Sequence, residues 1–345
     1  MRALSVTIGG DFPNPLEKAA CTLALRMNPL AIFLNRHERL RSGWRLAIFC
    51  AAYYAALAAF FVLIGLFFYL FNGSNPDARL AGTLGFLLQA FVLLTTALVI
   101  GWACGRLFED LPLRALGWTR HRGWLRDLLM GTVLGIVSLT LAALVATALG
   151  GFRFGVAPSV SSAAFLKTFL GSAVVFVIAA AAEEMLFRGY PLQTMMRALP
   201  FVAAVVPSSV LFAYVHLNNP NVAWGFTFVN TTLAGLWLAV AYLRTRSLWF
   251  PLGLHWAWNW AMGALLGLPV SGITSLTRAP LFRATDQGPA WLTGGAYGIE
   301  GGAACTLALI ISTIFIWKTR WLSADPELKK FTDGEIPKEE ADRES

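Results

Sequence analysis

The segment Ile178–Gln193 reads IAAAAEEMLFRGYPLQ, and it sets Glu183, Glu184 and Arg188 within or beside an otherwise apolar run. An ionisable group in hydrocarbon costs roughly 2.5 to 3.5 kcal/mol on insertion scales, so each of these needs a partner or a task. On a helix, Glu184 and Arg188 lie one turn apart on a single face, the spacing of a structural ion pair. Glu183 points away from them, toward the face of Phe187, and is left without a partner. An unpaired carboxylate in such surroundings suits a general base or acid.

Two histidines also fall in apolar stretches: His216 in LFAYVH and His255 in GLHWAWN, whereas His37 and His121 sit among basic residues. His255 and Asn259 are four residues apart and project from one helix face as two hydrogen-bond donors. Phe212 and His216 share that spacing, which sets an aromatic ring beside the imidazole. A carboxylate, two imidazoles and an amide on successive apolar segments point to a functional site. Glu183, His216 and His255 are also the three ligands that an open zinc site would need. No HExxH is present, however, and His255 shares its face with asparagine, a poor zinc ligand, so the expectation is no cofactor, with zinc on those three residues left open. Cys21, Cys50, Cys104 and Cys305 show neither metal-ligand nor CxxC spacing and read as small core residues.

Convergence of these groups depends on the elements that carry them. If the helix bearing Glu183 continues, kinked at Pro191, to a hairpin turn at Leu199 and Pro200, then Glu183 stands about as far before the turn as His216 stands after it. A helix that stopped at Arg188 would set the two more than ~10 Å apart on the same rise. The surroundings are lipid-like throughout. Of 345 residues 57% are apolar and 13% charged, with a mean hydropathy of +0.62, against about 25% charged in a soluble domain. Apolar runs at Leu46–Phe71, Leu80–Cys104, Leu128–Leu149, Phe165 to the region of Glu183, Phe201–Leu217, Ala223–Leu243, Phe250–Leu266 and Gly301–Trp317 make an all-α, polytopic membrane helix bundle of about eight spans. The first run starts too late and is too long for a cleavable signal peptide.

Basic residues test that count, because Lys and Arg collect in cytoplasmic loops. Arg36, Arg39, Arg41 and Arg45 precede the first span, and Arg106, Arg114, Arg120, Arg122 and Arg126 follow the second. Arg188 and Arg197 follow the fourth, Arg244 and Arg246 the sixth, Lys318 and Arg320 the eighth. The alternate loops carry only Arg79, Arg153, Arg278 and Arg283 in the stretches between spans. Both termini are therefore expected in the cytoplasm, in a multi-pass cell-membrane protein. The net charge of +8 is assigned to orientation and lipid headgroups, not to nucleic acid. The chain divides into a cytoplasmic segment 1–45, N-terminal spans 46–150, a core 165–266, an extracytoplasmic loop 267–300, a last span 301–318 and a charged tail 319–345 expected to be disordered. Trp224, Trp256, Trp258 and Trp260 read first as interfacial anchors.

Glu183-Glu184-Met185-Leu186-Phe187-Arg188, Phe212-Ala213-Tyr214-Val215-His216 and His255-Trp256-Ala257-Trp258-Asn259 resemble, in order, the Glu-Glu-x-x-x-Arg, Phe-x-x-x-His and His-x-x-x-Asn motifs of the CAAX protease and bacteriocin-processing (CPBP) family, which includes type II CAAX prenyl endopeptidases. The resemblance covers about 165–266 and implies an intramembrane endopeptidase acting on membrane-associated or lipid-modified peptides. It implies Glu183 as the base that activates water, His216 as its helper, and His255 with Asn259 as donors to the oxyanion. Glu184, Arg188 and Phe212 would support the site. The rival is a transporter or channel that uses the same residues, with Gln89, Asn230, Thr231 and Thr232, as a proton or solute path. A further rival is an idle scaffold that binds a partner helix.

Overall fold

The computed structural model describes residues 29–72, 82–157 and 161–333. The described chain runs through α1 (Ser42–Asn72), α2 (Thr83–Glu109), α3 (Trp124–Ala148), β1 (Phe152–Val156), α4 (Ser162–Arg188), α5 (Tyr190–Met196), α6 (Phe201–His216), α7 (Trp224–Thr245), α8 (Trp249–Trp260), β2 (Phe282–Asp286), α9 (Ala290–Thr293), α10 (Ala303–Lys318) and α11 (Pro326–Lys330). It is an all-α membrane bundle with one two-stranded ribbon among the described residues. Stretches starting at Ser42, Thr83, Trp124, Ser162 and Trp224 are long and apolar enough to cross a bilayer, whereas α6 and α10 are apolar but shorter. Val62, Leu63, Tyr69, Val133 and Val202 are largely exposed. Such surfaces suit acyl chains and would be untenable in water.

Each expected span lies on a helix over its described residues, the seventh ending in a π-helical turn, Ala261–Leu265. The fourth differs in its ending: the break falls at Gly189, not Pro191, and the backbone there requires glycine, since a β-carbon would run into the Met185 carbonyl. Pro191 instead occupies the first turn of α5, where its missing N–H costs nothing. The loop 267–300 is also more ordered than its composition suggests. β2 pairs antiparallel with β1, with Phe152 opposite Asp286 and Val156 opposite Phe282, and the excursion folds back over one end of the bundle.

The expected disorder of the charged tail does not hold over 325–333. Asp325 caps α11 by accepting from the Glu327 and Leu328 backbone N–H groups, and Phe331 packs on Leu111 and Ala115. Two apolar residues in a charged stretch suffice to dock it. Residues 334–345 of that tail, and 1–28 of the N-terminal segment, lie outside the described residues.

Opposite ends of the bundle are tied in different ways. At one end Arg45 Nη1 donates to Glu109 Oε1 at 2.7 Å, and Arg197 donates to both Glu109 oxygens at 2.7 and 2.9 Å. The start of α1, the end of α2 and the α5–α6 turn meet there on one buried carboxylate. At the other end Asn230 Nδ2 donates to the carbonyls of Glu300 and Gly302.

Between these ends α3 and α8 touch backbone to backbone. A β-carbon at Gly131 would meet the Phe250 carbonyl, and one at Gly253 the Leu128 carbonyl. Overpacking of this kind costs typically ~1–3 kcal/mol. Gly253→Val should therefore lower the melting temperature in detergent micelles and distort α8, while Gly171→Ala, where nothing lies within 4 Å, should not. Equal melting temperatures for the two variants would refute the close contact.

Candidate active site

The last turns of α4 present two neighbouring carboxylates in different directions. Glu184, fully buried, turns into the protein: its Oε1 accepts from Arg188 Nη1 at 3.3 Å and from His255 Nδ1 at 2.8 Å. Arg188 Nη2 donates to the Gly235 carbonyl at 3.0 Å, and its guanidinium stands over the Phe212 ring, 4.6 Å from the centroid. The helical spacing pointed to a Glu184–Arg188 pair; the third member, His255, comes from α8 and was not part of that reading.

Glu183 turns the other way, its side chain 32% exposed to a cavity. Its Oε2 lies 3.7 Å from His216 Nε2 and 3.7 Å from His255 Nε2. His216 is the last residue of α6, and its Nδ1 is 2.6 Å from the Phe212 carbonyl. Because a carbonyl only accepts, Nδ1 carries the proton there, and the neutral ring offers Nε2 as a lone pair. His255 Nδ1 must likewise carry a proton to reach the Glu184 carboxylate, so both Nε2 atoms aim at Glu183 with their tautomers set from behind. Phe212 wedges the arrangement, its ring 4.5 Å from that of His216 and 5.1 Å from that of Phe187, edge on. The hairpin brings Glu183 and His216 level despite the break at Gly189, because α5 carries the chain onward to the turn.

These groups share a cavity of about 410 Å³, with Asn259 one turn beyond His255 in its wall. Tyr53, Leu57, Phe86 and Leu93 make its apolar side. A separation of 3.7 Å from each imidazole is too long for a direct hydrogen bond and suits a water set to one side of the two atoms, in the cavity. A zinc ion would call on the same three side chains at ~2.1 Å each, and among the described residues no His, Cys, Asp and Glu cluster is already drawn together for a metal.

One cavity residue escaped the sequence reading. Glu300, in the turn before α10, lines the same space; its Oε1 accepts from Trp258 Nε1 at 3.1 Å and its Oε2 from the Ser271 N–H at 2.6 Å and Ser271 Oγ at 3.0 Å. The available signal was a lone acid in GIEGG beside an apolar run. Trp258 thereby acts as a cavity residue, whereas Trp256 and Trp260 donate to α4 carbonyls and Trp224 stays exposed. Of the polar residues named for a solute path, Gln89, Asn230 and Thr231 line the cavity, Asn230 also holding the backbone at 300 and 302, and Thr232 bonds within its own helix.

Residues 165–261 match the model of a family described as type II CAAX prenyl endopeptidase Rce1-like. The match contains the Glu183, His216, His255 and Asn259 positions and ends before the excursion that brings Glu300. No curated protein matches the chain.

Burial pushes the Glu300 carboxyl above its ordinary value of 4.5, against the Ser271 and Trp258 donors and the nearby His216. A carboxyl whose value is higher folded than unfolded stabilises the fold fully below 4.5 and loses that contribution as pH rises through the folded value. Wild-type melting temperature should therefore fall, relative to Glu300→Gln, as pH is raised above that ordinary value. Parallel melting profiles for the two proteins would contradict this.

Proposed function

From membership of the CPBP family, carried by residues 165–261, we propose that this membrane protein is an intramembrane endopeptidase that hydrolyses peptide bonds with a glutamate-activated water and no metal. The observation that carries the reading is Glu183 Oε2 at 3.7 Å from two imidazole Nε2 atoms in one cavity. A water set beside those atoms gives its proton to Glu183 while the Nε2 lone pair of His216 holds the other hydrogen. The oxygen then attacks the scissile carbonyl.

Charge moves to the carbonyl oxygen, where Asn259 Nδ2 and a protonated His255 Nε2 donate to it; removing one such donor commonly costs roughly 10² to 10³ in rate. His255 can be doubly protonated here because carboxylates stand on both of its sides, Glu184 at Nδ1 and Glu183 at Nε2. Collapse of the tetrahedral intermediate breaks the C–N bond. Glu183 returns its proton to the departing amine nitrogen, so one water is consumed and the site ends as it began.

Substrates on this reading are peptide segments of membrane-associated or lipid-modified proteins, with membrane lipids as surroundings and no role for nucleic acid. The chain lies in the cell membrane as a multi-pass protein with both termini cytoplasmic.

General-base contributions are typically 10² to 10⁴-fold, so Glu183→Gln and His216→Ala should each lose ~10²-fold or more of peptide hydrolysis in proteoliposomes while inserting and melting like wild type. Full activity in both would sink the assignment. Incubation with 1,10-phenanthroline separates the chemistries: unchanged hydrolysis fits the metal-free step, and its loss with recovery on added zinc would replace that step with a metal one.

A further inference from the structure

A groove of about 900 Å³, sharing no residue with the catalytic cavity, lies between the start of α1 and the α5–α6 turn. Its outer rim is a hairpin, 33–41, closed by the Leu34–Leu40 bridge and by Asn35 Oδ1, which accepts from the His37 and Arg39 N–H groups at 2.9 and 3.0 Å. Arg36 and Arg41 of this hairpin line the groove, whereas Glu38, the only acid between 29 and 47, does not.

Neighbouring arginines are compensated within the protein: Arg39 pairs with Asp110, and Arg45 and Arg197 pair with Glu109. Arg36 and Arg41 differ. Their Nε atoms are engaged locally, on His37 Nε2 at 3.0 Å and on the Leu34 carbonyl at 3.1 Å, and among the described residues neither guanidinium has a carboxylate partner. Ser42, the first residue of α1, lines the same groove; it is only 4% exposed, and its hydroxyl has no hydrogen-bond partner. A buried hydroxyl without a protein partner is uncommon and suits an acceptor brought by a ligand. The first-turn amides of α1 add the positive end of the helix dipole. Two uncompensated cations, a hydroxyl and a helix start together favour an anion.

Beside these charges the surface is apolar. The rings of Phe33 and Trp44 stand 5.2 Å apart, and Trp44 Nε1 donates to the Ile32 carbonyl at 3.1 Å. Ile32, Phe33, Trp44 and Ile48 are each at least 40% exposed. Helix α1 is the first long enough to cross a bilayer, and Trp44 stands in its first turn, so the groove sits where hydrocarbon gives way to headgroups. A phosphodiester would take charge-assisted bonds from the guanidiniums while its attached acyl chains ran along Trp44 toward Ile48. A free anion would leave the apolar strip unused.

We propose that this groove binds an anionic phospholipid, with the headgroup phosphate on Arg36, Arg41 and Ser42 and the start of the acyl chains on Phe33 and Trp44. The site does not depend on the hydrolytic reading above. Native mass spectrometry of the full-length protein in detergent, with phosphatidylglycerol or phosphatidylcholine added, counts the lipid retained. Wild type should prefer phosphatidylglycerol, and Arg36→Gln/Arg41→Gln should bind it ~30-fold more weakly, about fivefold for each basic side chain. No preference, or no loss in that pair, overturns the proposal. Arg120→Gln/Arg122→Gln removes two exposed arginines outside the groove and should bind like wild type; an equal loss there would reduce the effect to net charge and overturn the site. Arg36→Lys/Arg41→Lys gives up the bonds of both Nε atoms but keeps both charges, and should stay within a few fold of wild type. A loss as large as that of the glutamine pair would assign the effect to the hairpin's structure and overturn the proposal. Full displacement of the lipid by excess inorganic phosphate would make this a site for free anions and overturn it as well.

Discussion

Charge compensation at Glu184 is the constraint on which the site depends. A carboxylate with no exposure and no partner would cost several kcal/mol in a bilayer, and here the compensation comes from Arg188 on its own helix and His255 on α8. Arg188 reaches in turn to the α7 backbone at Gly235. Three helices are thus locked by one ionic cluster, and the lock fixes which nitrogen of His255 faces the cavity. Glu183 is free to turn outward because its neighbour absorbs the cationic groups on the inner side. Two adjacent glutamates take opposite tasks because helical geometry points them opposite ways.

Much of this was legible in the sequence because it depends on local spacing. Four-residue intervals set Glu184 against Arg188, Phe212 against His216, and His255 beside Asn259, whatever the tertiary arrangement. Apolar runs marked the helices, and a single chain reversal near Pro200 sufficed to bring α4 and α6 side by side. The contacts that escaped were those between elements distant in sequence. Glu300 finds Trp258 and Ser271 only because the excursion folds back. The β1–β2 ribbon joins five-residue strands too short to show a period. α11 depends on Phe331 finding Leu111 and Ala115. At Gly189 the obstacle was different: proline drew attention as the visible helix breaker, but the crowded backbone sat two residues earlier.

The contacts that position the site differ along the molecule. At the arginine-rich end Glu109 gathers Arg45 and Arg197, so α1, α2 and the α5–α6 turn are held by charge-assisted bonds with little water to weaken them. Midway, Gly131 and Gly253 bring α3 and α8 into backbone contact, which fixes the height of His255. At the other end Glu300 accepts from the Ser271 N–H and hydroxyl and from Trp258, and Asn221 donates to the Gly272 carbonyl. A protease in lipid must hold its catalytic groups within fractions of an ångström and still admit a chain. Ionic and small-residue contacts hold Glu184 and His255 in place, and the cavity beside them supplies the space that a chain needs.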